Sequence, residues 1–154
     1  MKGASKTETL HGRYPVFFGA TLTALIALIP GTNAFVVVGM ILGPLAAVWA
    51  ANRMAQSSVD LGEGANIGFR TTFYGLLAAS TIYEIISHVF GYQLWKLENL
   101  HRLFAWFAGM TRDAISPSNW IVTTIQIIAI AVCAGIFDAP VGVLAAKIFQ
   151  KRSS

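Results

Sequence analysis

Polar and apolar positions do not alternate along this chain; they separate into long blocks. Apolar runs cover Tyr14 to Pro30, Ala34 to Met54, Phe69 to Gln93 and Trp120 to about Phe149, with short polar stretches between them. A run of about 20 apolar residues is the length of helix that crosses a hydrocarbon layer. The pattern therefore predicts an all-α integral membrane protein with four transmembrane helices, at about 14–30, 34–54, 69–93 and 120–146. Residues 95–110 differ: Leu97, Leu100, Leu103, Phe104, Phe107 and Met110 recur at helical spacing while Lys96, Glu98, Asn99, His101 and Arg102 collect elsewhere. That spacing predicts an amphipathic helix lying in the interface plane between the third and fourth spans.

Turn and breaker residues divide the runs. Pro15 suits a first helical turn, where its missing N–H is not needed. Pro30-Gly31-Thr32-Asn33 reads as a tight turn that returns the second helix antiparallel to the first. Pro44 and Pro140 each lie inside an apolar run and predict kinks. Gly39 and Gly43, followed by Ala47 and Ala51, form a small-residue stripe along which another helix can approach closely. The stretch from Gln56 to Asn66, rich in glycine, reads as a polar link, with the third helix beginning near Phe69. Its glycines at 62, 64 and 68 have the wrong spacing for a nucleotide-binding turn, and no strand precedes them.

Composition agrees with lipid as the solvent. Of 154 residues, 55% are hydrophobic and 12% charged, against roughly 25% charged in ordinary soluble domains. The tails are 1–13 and 150–154, and 14–149 forms one transmembrane domain. Lys2, Lys6 and Arg13 precede the first run, but that run is long enough to remain as a helix rather than act as a cleaved signal. The side carrying both termini and the middle link holds eight of the 11 Lys and Arg residues, leaving Lys96, Arg102 and Arg112 on the other. Both termini are thus expected in the cytoplasm, with the chain in the cell or inner membrane. The net charge of +4 sits at membrane flanks, so phospholipid rather than nucleic acid is the expected partner. Arg70, Trp95, Trp106 and Trp120 are candidate interface anchors.

An internal likeness adds detail. Gly39-x4-Pro44 aligns with Gly135-x4-Pro140 at an offset of 96 residues, and Phe17-Phe18-Gly19 resembles Phe73-Tyr74-Gly75. A parallel repeat of two helix pairs would follow, with a pseudo-two-fold axis and prolines in comparable surroundings.

Candidate chemistry is sparse. Glu84, His88 and Asp138 fall inside apolar runs, where ionisable groups need partners and often mark function. Glu84 and His88, four apart on one helix face, can pair with each other. His88 could also ligate a tetrapyrrole, although the cofactor, if any, is unspecified. The lone cysteine, Cys133, excludes an internal disulfide, and no metal spacing or nucleophile-base arrangement is present, so no enzyme is expected. The leading expectation is an accessory or scaffold subunit of a larger membrane complex, binding other integral subunits or copies of itself. A small oligomeric transporter or channel for a proton, cation or small solute, using Glu84 and Asp138, is the alternative, and a lipid-organising or pigment- or haem-binding protein is a third.

Overall fold

The computed structural model describes residues 13–29, 34–55, 58–90 and 120–150. The proposed interfacial helix at 95–110, with Trp95 and Trp106, the turn at 30–33 and the two tails apart from Arg13 and Gln150 lie outside them, as do the side chains of His88 and Trp120. The described residues form four α-helices: α1 (Arg13–Ala27), α2 (Ala34–Ala55), α3 (Leu61–Phe90) and α4 (Trp120–Gln150). They make an all-α bundle of two antiparallel hairpins, α1 with α2 and α3 with α4; α1 also packs along α3.

Two helices contain segments long and apolar enough to cross a membrane, Ala34–Met54 in α2 and Thr124–Gln150 in α4. The 15 residues of α1 rise about 22 Å, less than the roughly 30 Å hydrocarbon layer. The 30 residues of α3 are long enough, but Glu63, Arg70, Glu84 and several glycines and threonines make the helix more polar. Only 33% of the α2 segment and 28% of the α4 segment is buried within the bundle. Val37, Val38, Ile41, Ile136, Phe137 and Leu144 point outward. Outward apolar faces of this extent suit a membrane environment better than the core of a water-soluble bundle.

The start of α3 corrects the sequence reading. The helix begins at Leu61, so the glycine-rich stretch expected to be a link is mostly its first two turns. Asp60 caps it: its carboxylate accepts the backbone N–H of Glu63 at 2.8 Å, satisfying a donor that the helix itself leaves free. Glycine is a poor helix former, but here it permits close approach to α4. A Cβ at Gly64 would stand 2.8 Å from the Gly142 carbonyl oxygen and from Ala146 Cβ, and one at Gly68 would stand 2.6 Å from the Asp138 carbonyl oxygen. Tertiary packing thus outweighs local propensity.

The hairpin α1–α2 closes in the same way. A Cβ at Gly19 would lie 2.6 Å from the Gly43 carbonyl oxygen, and one at Gly39 would lie 2.9 Å from that of Thr23. The prolines diverge from expectation: Pro44 is fully buried, whereas Pro140 is exposed. The alignment through the two prolines therefore does not superpose their surroundings.

The contacts indicate another register. Gly43-Pro44-Leu45-Ala46-Ala47 matches Gly142-Val143-Leu144-Ala145-Ala146 at an offset of 99. In the first helices, Gly19-x3-Thr23 matches Gly68-x3-Thr72 at an offset of 49. In each hairpin the glycine lies at the close crossing, and the threonine hydroxyl four residues later donates across to the second helix. The exposed Leu42, paired with Asp138 by the proline alignment, gives way to buried Gly39 as its counterpart.

Candidate functional site

The bundle interior has two apolar clusters. One contains Val16, Ala47, Val48, Ala51, Val59, Ile67, Ala145 and Ala146; the other contains Ala24, Ala27, Leu76, Ala79, Ala131 and Ala134. Between them in sequence, on all four helices, lie Thr23, Gly39 and Gly43, Thr71 and Thr72, and Asp138. Thr23, Thr71 and Thr72 are 0% exposed and Asp138 is 4% exposed. A polar layer therefore divides the apolar core.

Helix geometry explains how the layer is assembled. On α3, Gly64, Gly68, Thr72, Gly75 and Ala79 recur every three or four residues and place small side chains along one stripe. Four residues forward on α3 correspond to four back on α4, so Gly68 meets Gly142 and Thr72 meets Asp138. Gly75 turns toward α1, where its Cβ position is 2.6 Å from Thr23 Cβ.

The equivalent threonines do different chemistry. Thr23 Oγ1 donates to the Gly39 backbone carbonyl at 3.1 Å. Thr72 Oγ1 donates to an Asp138 carboxylate oxygen. A backbone carbonyl is thus sufficient to receive the crossing hydroxyl in one hairpin, while the other uses a carboxylate at the matching position. Burial of a carboxylate is costly without compensation, and the first hairpin shows that this type of crossing does not require one.

Thr71 is a second departure. Its counterpart at the offset of 49 is Leu22, which is apolar. Thr21 and Thr81 donate back to the carbonyls of Phe17 and Leu77 at 2.9 and 2.8 Å, a common use of threonine in helices. Thr71 Oγ1 has no hydrogen-bond partner in the protein despite complete burial. Its methyl is the part near α1, 2.8 Å from the Cβ position of Gly19.

The structure brings only some of the sequence candidates together. Gly39, Gly43 and Asp138 belong to the polar layer, with Pro44 adjoining it. Gly135 packs against Phe69, whose ring carbon is 2.9 Å from its Cβ position, while Pro140 lies on the outer face of α4. Glu84 is half-buried and lies twelve residues beyond Thr72 on the same helix, about 18 Å away along its axis. Glu84 and Asp138 therefore do not form one local site. Arg70 is half-buried on α3. Thr71 and Thr72 were missed by searching for ionisable groups alone; the Gly64-x3-Gly68-x3-Thr72 spacing and the repeated Gly-x-Leu-Ala-Ala pattern were the available signals. Among the described residues, no group of three or more His, Cys, Asp or Glu side chains is placed to hold a metal ion.

A smaller polar arrangement holds the entry to α3. Val59 N–H donates to Asn52 Oδ1 at 2.7 Å, and Val59 C=O accepts from Gln150 Nε2 at 2.7 Å. Side chains from α2 and α4 thereby secure opposite sides of one buried residue. Trp49 and Arg53 add a surface cation–π contact, with the guanidinium carbon 5.9 Å from the ring centroid.

The chain matches no protein-family model, and no curated protein or solved structure shows significant similarity to it.

Proposed function

We propose that this chain is a four-span membrane protein that acts as a small oligomeric carrier or channel, moving a proton, a cation or a small polar solute past Asp138. The observation that carries this reading is the replacement of a backbone acceptor by a buried carboxylate at matching helix crossings. Such a group in an apolar bundle is suited to binding or releasing positive charge. Four helices packed through glycine contacts enclose little space, so transport around or between copies is part of the proposal. Glu84, about 18 Å farther along α3, would be a separate polar station nearer the other membrane face.

The chain is proposed to reside in a cell or inner membrane with both termini in the cytoplasm. The ends of α3 and α4 near Asp60, Glu63 and Lys147 then extend toward the headgroups, because helices of 30 and 31 residues exceed the thickness of the hydrocarbon layer. The accessory-subunit reading has support in the outer face of α4, where Phe137 is 77% exposed. That face would pack against another integral subunit in place of lipid.

The deciding experiment is flux in reconstituted vesicles. Asp138→Asn and Asp138→Gly should both fold, the latter reproducing the residue at the equivalent crossing, and both should lose flux. Glu84→Gln tests the outer station. Unchanged flux in both Asp138 variants refutes the role of that carboxylate. Wild-type protein that carries nothing, and purifies in mild detergent with a fixed integral partner, supports the accessory reading instead.

A further inference from the structure

We infer that the outer face of α3 meets other copies of this chain across a water-filled seam rather than lipid; of the transport reading above, this takes only the presence of several copies. With about 3.6 residues per turn, Glu63, Asn66, Arg70, Tyr74, Thr81 and Glu84 all fall within about 40° of Arg70 around the helix. The small-residue stripe Gly64, Gly68, Thr72, Gly75 and Ala79 falls about 120–200° away. Burial agrees with that geometry: Glu63, Asn66, Tyr74 and Thr81 are exposed, and Arg70 and Glu84 are half-buried. The charged residues of α3 thus lie on its side away from the bundle. Thr72, with the Asp138 carboxylate bound to it, is on the opposite side, so α3 is the wall between that carboxylate and the seam.

The other helices show what a lipid-facing surface is in this chain. Val37, Val38 and Ile41 on α2 and Ile136, Phe137 and Leu144 on α4 point outward and are apolar. No charged residue lies between Arg13 and Arg53, and on α4 the one charged residue before Lys147 is the buried Asp138. On α3 itself, the exposed Ala78, Ile82, Ile85 and Val89 make an apolar edge beside the polar stripe.

Arg70 stands about 13 Å along α3 from Leu61, and Glu84 about 21 Å farther on. Among the described residues neither has a hydrogen bond or an ion pair, and an unpaired charge facing hydrocarbon is costly. A lipid phosphate would offset Arg70 but repel Glu84, so lipid does not serve both ends of the stripe. A foreign subunit would have to bring opposite charge at both depths. Identical copies side by side need only water. They set Arg70 level with Arg70 and Glu84 level with Glu84, and such like charges oppose a dry contact. A cyclic assembly, the usual arrangement of identical subunits, brings the stripes to one axis where water solvates them, and rings of one charge at a given depth are a means by which pores select ions.

The test uses full-length protein in vesicles at a low protein-to-lipid ratio, with Cys133→Ala as background. Tyr74→Cys and Thr81→Cys report on the stripe; Val38→Cys on α2 and Ile136→Cys on α4 are the lipid-facing controls. In intact vesicles a charged methanethiosulfonate should label both stripe cysteines more than about tenfold faster than the controls, because the reactive thiolate is disfavoured in hydrocarbon. A short bifunctional maleimide should then join stripe cysteines of two copies, with no such product from the controls. Each stripe variant reads the face alone if the other does not fold. Labelling as slow as the controls overturns the inference, since the stripe is then in lipid or in a dry contact. Fast labelling without cross-linked copies overturns it too, because the seam then has some other wall. Flux lost in Asp138→Asn while the stripe labels slowly leaves the transport reading standing and this inference refuted. Fast labelling and cross-linking in a protein that carries nothing upholds the seam and refutes the transport reading.

Discussion

Replacing Gly68 with alanine puts the close packing of α3 and α4 to a direct test. The added methyl would meet three backbone atoms: the Asp138 carbonyl oxygen at 2.6 Å, and Gly142 Cα and N at 3.0 Å. Backbone atoms cannot swing aside as side-chain ends can, so the helices must separate. Alanine favours a helix over glycine by about 1 kcal/mol, whereas overpacking costs about 1–3 kcal/mol. With every near neighbour a backbone atom, the upper part of that range applies, leaving a net loss of about 1–2 kcal/mol. Gly62→Ala is the matched control. Its methyl would meet only Asp60 Oδ1 at 3.3 Å, the end of a side chain that can move by a few tenths of an ångström while still capping Glu63 N–H, so part of the propensity gain should remain. Unfolding followed by helical circular dichroism in one detergent should show Gly68→Ala below wild type by several degrees, using about 2–4 °C per kcal/mol for a chain of this size, with Gly62→Ala at or above it. If Gly68→Ala matches or exceeds Gly62→Ala, the tight crossing is wrong.

Two further predictions examine the capping and the membrane environment. Asp60→Ala removes the acceptor for Glu63 N–H and should cost about 0.5–2 kcal/mol, measured by the same unfolding assay, with little loss if α3 begins elsewhere. Cys133, exposed on α4, should resist a water-soluble maleimide in intact vesicles and react after transfer to detergent. Rapid labelling in the intact vesicle would show that this part of α4 faces water.

The apolar blocks were legible because burial in lipid or in a helical bundle requires long uninterrupted runs, and α2 starts at the predicted Ala34 while α4 starts at the predicted Trp120. The ends were less legible. At α3, the glycines suggested a turn because local propensity penalises them inside a helix, yet Gly142 supplies a partner surface that only small residues can approach. Similarly, alignment of Pro44 with Pro140 favoured a rare residue type over the pattern of interhelical contact. Those prolines occupy different surroundings, whereas Gly43 and Gly142 make corresponding close approaches.

The amino-acid order by itself determined a helical chain with apolar outer surfaces, an unusual aspartate in α4 and small residues available for close packing. The tertiary structure decided which of those small residues meet, that Asp138 receives the Thr72 hydroxyl, and that Glu84 stands far from it. The physical reason is that hydropathy and helical period fix which faces avoid water, while the register between helices depends on backbone contacts from residues far apart in the chain. Only that register reveals that a backbone carbonyl does in one hairpin what a carboxylate does in the other.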